Sequence, residues 1–463
     1  MVNGKWAIGN CGANRVWFSR RMNRGGARAR TAGREMNRVC VIDIAGLSLT
    51  LAGRDDSLWV RSLPGTLRAM RATFPAVTPS VQASMTTGVA PGLHGVVAGA
   101  IYRRQAQSVS LDERSNTLLT KKRFWHARAL PARPKVGLVM WTNPLAGAAD
   151  AVLGATTYGK ACTGVAEMPV GLYRRATTAA GELDTRLLRG PRADWRASEW
   201  IVRAAGRLWD DCACDLLWVY LPGVNFAAQR YGLSDTRTRD ALRGVDALAG
   251  ELSQTIAASG GRTLVVSSGG LVDVSRVCWP NVLLREAGLL RVRRGPDGEE
   301  VDFPASRAFA LVDHQVAHLF CRDEATADDA AAVLREHPAV GAVLPRGELF
   351  CPGLGHDRAG ERVAMAVPDA WFSYAWWSVP GQTPESALRL DDGGKCGYDP
   401  CELLAGTDEG LIAPEPHRIR ASRGLVSVPA EDQCVLGATC ELPAGLGGAV
   451  TDVPEILRRL LFE

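Results

Sequence analysis

Between Phe74 and Tyr102 the chain reads FPAVTPSVQASMTTGVAPGLHGVVAGAIY, and one hydroxyl side chain, Thr78, stands before a proline at the head of a helix-forming run. A threonine there can cap the helix through its hydroxyl. Alternatively, it can join the first backbone N–H groups in meeting the oxygens of an anion. A threonine hydroxyl is a poor nucleophile at neutral pH unless its alkoxide is stabilised.

Histidines form the second group with chemical potential. His314 and His318 stand four apart in RAFALVDHQVAHLF (307–320), beside Asp313. On a helix they would share a face and could ligate one metal. The segment reads equally well as strand, where residues four apart also share a face but sit too far apart to chelate without a bend. His356 is the second residue of GHDRAG (355–360), which reads first as a turn stabilised by an Asp357–Arg358 pair and only second as a ligand source. Arg103 and Arg104 read as a solvated pair, and the 13 tryptophans, Trp371, Trp376 and Trp377 among them, as packing rather than a base-stacking surface.

The elements that must position these residues follow a regular plan. RVCVIDIAG (38–46), KVGLVMW (135–141), DLLWVYLPG (215–223) and GRTLVVSSGG (261–270) are apolar runs of the kind buried on both faces of a parallel sheet. Three of them end in Gly or Pro, where open α/β sheets bind ligands. LPGTLRAMRATF (63–74), SDTRTRDALRGVDALAGELSQTIAAS (234–259) and ATADDAAAVLREHP (325–338) read as helices. Shorter units over about 275–350 suggest a cap or insertion, and ERVAMAVPDAWFSYAWW (361–377) returns to strand-like spacing.

Composition removes several function classes. The 463 residues are 46% hydrophobic with a formal charge of +5, too mild a balance to imply nucleic acid or a membrane surface. Residues 1–36 form a basic, Gly- and Arg-rich leader that reads as disordered, with no apolar stretch long enough for a signal peptide or a membrane span. The 12 cysteines contain a CxC at Cys212 and Cys214 but no CxxC, so reduced thiols in a cytoplasm are the expectation.

Read together, VIDIAG (41–46) and the Phe74–Tyr102 block resemble the type I phosphodiesterase and nucleotide pyrophosphatase branch of the alkaline phosphatase superfamily. The FPxxT, TTG and PGLHG pieces occur in the family's order. That resemblance implies an α/β fold, an alkaline-phosphatase-like three-layer sandwich with a mostly parallel central sheet, helices on both faces and a small cap insertion, over residues 37–463. It also implies Thr78 as nucleophile and Asp43 as a metal ligand.

The resemblance also marks departures. LLWVYLPGVNFAAQRYGLSD (216–235) is similar to a segment with an aspartate and a histidine ligand, and here Asn225 and Gln229 hold those places. VVSSGG (265–270) resembles a strand ending SDHG, with Ser268 and Gly269 in the ligand positions, and VLGATCELP (435–443) resembles the GSHG segment of the last ligand histidine, with Thr439 there. Of six side-chain ligands, only Asp43 remains, so the standard dinuclear zinc site is not expected to form. Two functions stay open. One is hydrolysis of a phosphate ester or diester through Thr78, with a divalent zinc or manganese ion at a rearranged centre of Asp43 with some of Asp313, His314, His318 and His356. The other is a catalytically inactive scaffold that binds a phosphorylated small molecule or a protein partner.

Overall fold

The structure is a computed structural model that describes Ala7–Ile8 and residues 36–463, apart from Asp56, Asp112, 159–161, 349–352, 379–382, 391–394 and 407–410. The leader expected to be disordered therefore lies outside the described residues, except that Ala7–Ile8 pairs antiparallel with Ala166 and Glu167.

Val39–Ile44 occupies the middle of a nine-stranded sheet because every one of its side chains is buried. The strand order is Ala7–Ile8, Cys162–Met168, Ala151–Tyr158, Val136–Val139, Leu216–Leu221, Val39–Ile44, Arg262–Val266, Cys434–Ala438 and Gly65–Met70. From Ala151–Tyr158 to Arg262–Val266 the five strands run parallel. The pairings outside them are antiparallel, so the sheet is mixed at its edges.

Side-chain alternation along Val39–Ile44 separates the two faces. Cys40, Ile42 and Ile44 join a core with the helices Ala197–Asp211 and Thr236–Ala258, whereas Val39 and Val41 join another with Thr78–Thr87 and Val453–Phe462. Helices thus cover both faces, which gives three layers. Period two also puts Asp43 on the same face as Val39 and Val41, the face of the Thr78 helix.

Residues 63–74, expected as a helix, instead form the edge strand Gly65–Met70 against Cys434–Ala438. The segment lacks an N-cap with a following capping partner, and a Cβ at Gly65 would come within 2.5 Å of the Cys440 carbonyl. Ladder pairing that buries Met70 outweighs the weak helical pattern.

A second sheet of five strands follows the order Val340–Pro345, Arg362–Ala366, Val316–Cys321, Ala308–Asp313 and Gly397–Tyr398, with the helix Glu324–Arg335 against it. Trp371 and Trp376 are buried, and nine cysteines among the described residues are free thiols. Among the described residues no helix is long and apolar enough to cross a membrane.

Candidate functional site

The Thr78–Thr87 helix begins one residue after Val77, an extended N-cap that has no capping oxygen, and Pro79 pre-sets its first turn. Thr78 is therefore the first helical residue rather than the cap. Its hydroxyl is left to face a cavity of about 300 Å³, and the Ser268 hydroxyl donates to it at 3.4 Å. One turn on, Gln82 reaches back to the sheet. Its Nε2 donates to Asp43 Oδ2 at 2.7 Å while its Oε1 accepts from the Thr142 N–H at 3.0 Å.

Asp43 stands one residue before the end of the Val39–Ile44 strand with no exposed surface, and its other oxygen accepts from the Ser268 N–H at 2.8 Å. Burial pushes its carboxyl up to about 6, against the pull of those hydrogen bonds and of the Arg423 charge. Tyr220 stands abreast of Asp43 on the next strand. Burial raises the Tyr220 phenol, opposed by the charge of Arg423 and by hydrogen bonding with Thr78 and Arg423.

The opposite wall comes from the second sheet. Asp313 and Val316 are paired, so His314 and Gln315 form a two-residue hairpin turn, with His314 at φ +61°. Asp313 and His314 both line the cavity. Asp313 Oδ2 accepts from the Gly99 N–H at 2.8 Å, and burial pushes this carboxyl up to about 6 as well. The His314 ring packs on Tyr398 with centroids 4.9 Å apart, and burial followed by the Arg423 charge drives its pKa well down, so the imidazole is neutral.

The helix reading of His314 and His318 gives way to this hairpin. His318 points elsewhere from a buried strand, and its Nδ1 accepts from the Gly360 N–H at 3.3 Å. His356 Nδ1 accepts from the Arg358 N–H in its loop. Arg358 does not pair with Asp357 but donates to the carbonyls of Gly95 and Leu118, and Asp357 is exposed, 3.7 Å from Arg346. Among the described residues no three His, Cys, Asp or Glu side chains gather into a metal-holding group.

Asn225 lines the cavity, with no partner for its Oδ1 among the described residues. Gln229 is already used, donating to the Asn225 carbonyl at 3.3 Å and accepting from the Tyr398 hydroxyl at 3.2 Å. Gly269 sits at φ +125°, where a Cβ would meet the Ala76 carbonyl at 3.1 Å. Arg103 pairs with Glu113 and Arg104 with Glu361, so both are ion-paired rather than merely solvated.

Thr439 is displaced from the site altogether. Its hydroxyl accepts from the N–H of Thr263, near the start of the Arg262–Val266 strand, whereas Thr78 and Ser268 lie beyond that strand's end. The residue that does reach the cavity is Arg423, which sequence reasoning missed. A signal was present. ASRG (421–424) fits the family's GSHG at its serine and final glycine, with arginine in the histidine position.

With this geometry in hand, comparison with known proteins locates the chain. The type I phosphodiesterase / nucleotide pyrophosphatase family model matches residues 63–399. Comparison with curated proteins finds no match. Among solved structures, murine ectonucleotide pyrophosphatase/phosphodiesterase 5 is similar at TM-score 0.57 and 14% identity, over 91% of this chain and 94% of that one. Its inactive threonine-to-alanine variant in complex with AMP gives TM-score 0.58 and 14% identity, over 92% and 94%. Phosphonoacetate hydrolase from Sinorhizobium meliloti 1021, in complex with phosphonoformate, gives TM-score 0.58 and 15% identity, over 92% and 96%. At these identities the likeness to solved structures is one of fold.

Proposed function

The chain belongs to the type I phosphodiesterase and nucleotide pyrophosphatase family, and from that premise we propose that it holds a phosphorylated small molecule with the phosphoryl group against Thr78. The observation that carries this reading is the Thr78 hydroxyl itself, released from capping by Val77 and turned into the cavity with the first turn of its helix. Backbone N–H groups at that turn favour an anion.

Members of this family are generally metal-dependent, and the side chains around Thr78 do not suit a pair of divalent ions. Asp43 has both oxygens engaged, by Gln82 and by Ser268. Beside it stand the amide of Asn225, the hydroxyl of Ser268 and the guanidinium of Arg423. Amides and hydroxyls add no negative charge, and the guanidinium adds a positive one. Binding without metal-assisted turnover is accordingly the reading favoured here.

A second reading, hydrolysis of a phosphate ester or diester through Thr78, has one specific support. The murine relative is described as inactive when a threonine is replaced by alanine, and Thr78 sits where a nucleophile would face a bound phosphoryl group.

Turnover of an aryl phosphodiester by purified protein, with zinc, manganese or magnesium added in turn, separates the two. The binding reading expects saturable binding of phenylphosphonate with no turnover above background under any metal. Metal-stimulated turnover that Thr78→Ala reduces by about 1,000-fold or more would establish the hydrolytic reading instead. Turnover that survives Thr78→Ala unchanged would remove Thr78 from both.

A further inference from the structure

Arg423 is 6% exposed, follows the two-residue strand Ala421–Ser422, and has its backbone carbonyl fixed by the Gln315 N–H at 2.9 Å. Among the described residues its Nε and Nη1 have no hydrogen-bond partner. An ionised side chain at this depth is costly unless its donors are met.

The neighbouring carboxylates do not meet them. Asp43 is held by Gln82 and Ser268, and Asp313 by the Gly99 N–H. Glu113 is paired with Arg103, and Glu402 with Lys395 and Arg189. Every acid lining or adjoining the cavity thus has another partner, and the Nε and Nη1 of the guanidinium remain open. Guanidinium N–H groups are matched by the oxygens of an oxyanion, and an anion would also offset the buried charge.

We propose that Arg423 is the cation of this site, its guanidinium holding the oxyanion of an organic phosphate or phosphonate beside the Thr78 hydroxyl with no metal ion. This rests on the phosphoryl-binding reading and deepens it. The ligand's organic part is apolar, because Ile101, Leu111, Trp141 and Phe226 form the adjoining walls. Asn225, whose Oδ1 has no partner among the described residues, also borders the cavity. The field of Arg423 reaches Asp43, Asp313, His314 and Tyr220, each of which has its titration shifted in part by that charge, as expected of a cation at the centre.

Calorimetric titration of the full chain with inorganic phosphate and with phenylphosphonate, in excess chelator and then with added zinc, tests this. Wild-type protein is expected to bind both anions in chelator, with phenylphosphonate the tighter and zinc without effect. Arg423→Gln is expected to bind at least about 20-fold more weakly while keeping the wild-type circular dichroism spectrum. Where the glutamine variant does not fold, Arg423→Lys decides: a single flexible ammonium should bind about 5–10-fold more weakly. Unchanged affinity in either folded variant overturns the assignment. Binding that appears only with zinc also overturns it, yet leaves the phosphoryl-binding reading standing. No binding of either anion under any condition removes both.

Discussion

Two clusters of buried charge lie on the same cavity, and they are built in opposite ways. At one end Lys395 has no exposed surface, and its Nζ donates to Glu402 at 3.2 Å and to the Arg389 carbonyl at 2.8 Å, while Arg189 reaches the same carboxylate at 3.3 Å. Burial alone would push the Glu402 carboxyl up, but the charges of Lys395 and Arg189 hold it below the usual range. At the other end the Nε and Nη1 of Arg423 are without partners among the described residues, and Asp43 and Asp313 are both pushed up to about 6. The first cluster is closed by the protein and belongs to the architecture. The second is left incomplete, which is the signature of a place where a ligand supplies the missing partner.

Breaking the closed cluster should have the largest effect. Glu402→Gln leaves Lys395 buried beside a neutral amide, and chemical denaturation is expected to show a loss of about 3–5 kcal/mol. Adding Lys395→Met to it should recover part of that loss, because the orphaned charge is then gone. Equal losses in the single and double variants would mean that the pair is not coupled.

His94 sharpens the comparison, since it is a buried site closed by hydrogen bonds alone, to the Ser84 hydroxyl at 2.9 Å and from the Val96 N–H at 3.1 Å. Burial, with smaller help from the charges of Arg123 and His356, lowers its pKa to about 3. The unfolded chain protonates this histidine near its ordinary value, whereas the folded chain keeps it neutral. Stability on this account is full above pH 6.5 and drains away as pH falls toward 3. His94→Gln should lose about 2–4 kcal/mol less than wild type across that window. Parallel stability curves for the two proteins would show that His94 carries no such linkage.

Removing the open cation should act in the opposite sense to Glu402→Gln. Arg423→Met is expected to leave the protein as stable as wild type or about 1–2 kcal/mol more so, since it deletes a buried charge with two guanidinium nitrogens unpartnered among the described residues. A loss comparable to that of Glu402→Gln would make the two clusters alike. The smallest effect is expected for Ser268→Ala. This variant keeps the backbone N–H that Asp43 uses and deletes the hydroxyl, with its 3.4 Å contact to Thr78 and its hydrogen bonding to Asp43. Phenylphosphonate affinity should fall by no more than about 5-fold, or under about 1 kcal/mol.

The fold was legible where the local pattern and the buried pairing agree. The four apolar runs became four of the five parallel strands, and the long segment 234–259 became the helix Thr236–Ala258, started by Asp235 accepting from the Arg237 N–H. Where pattern and pairing compete the reading failed, as at Gly65–Met70, because strand pairing depends on a partner almost the whole chain away. Within the site, Thr78 and Asp43 announced themselves through a dense run of small motifs. Arg423 did not, because the matching segment is short and a second candidate, around Thr439, resembled it as well.

By itself, the order of residues determined the family, the strands that carry Asp43 and Ser268, and the helix that begins at Thr78, since each depends on interactions within a few residues or on strict alternation of burial. Only the tertiary structure decided which remote side chains share the cavity. His314 arrives there at the tip of a hairpin while His318, four residues on, does not, because a turn reverses the strand between them. Arg423 arrives from a segment that is joined to the sheet only through long-range pairing. Whether a buried charge is satisfied is likewise a property of the assembled chain: Lys395 and Arg423 look alike in sequence, and only the packing around them closes one and leaves the other open.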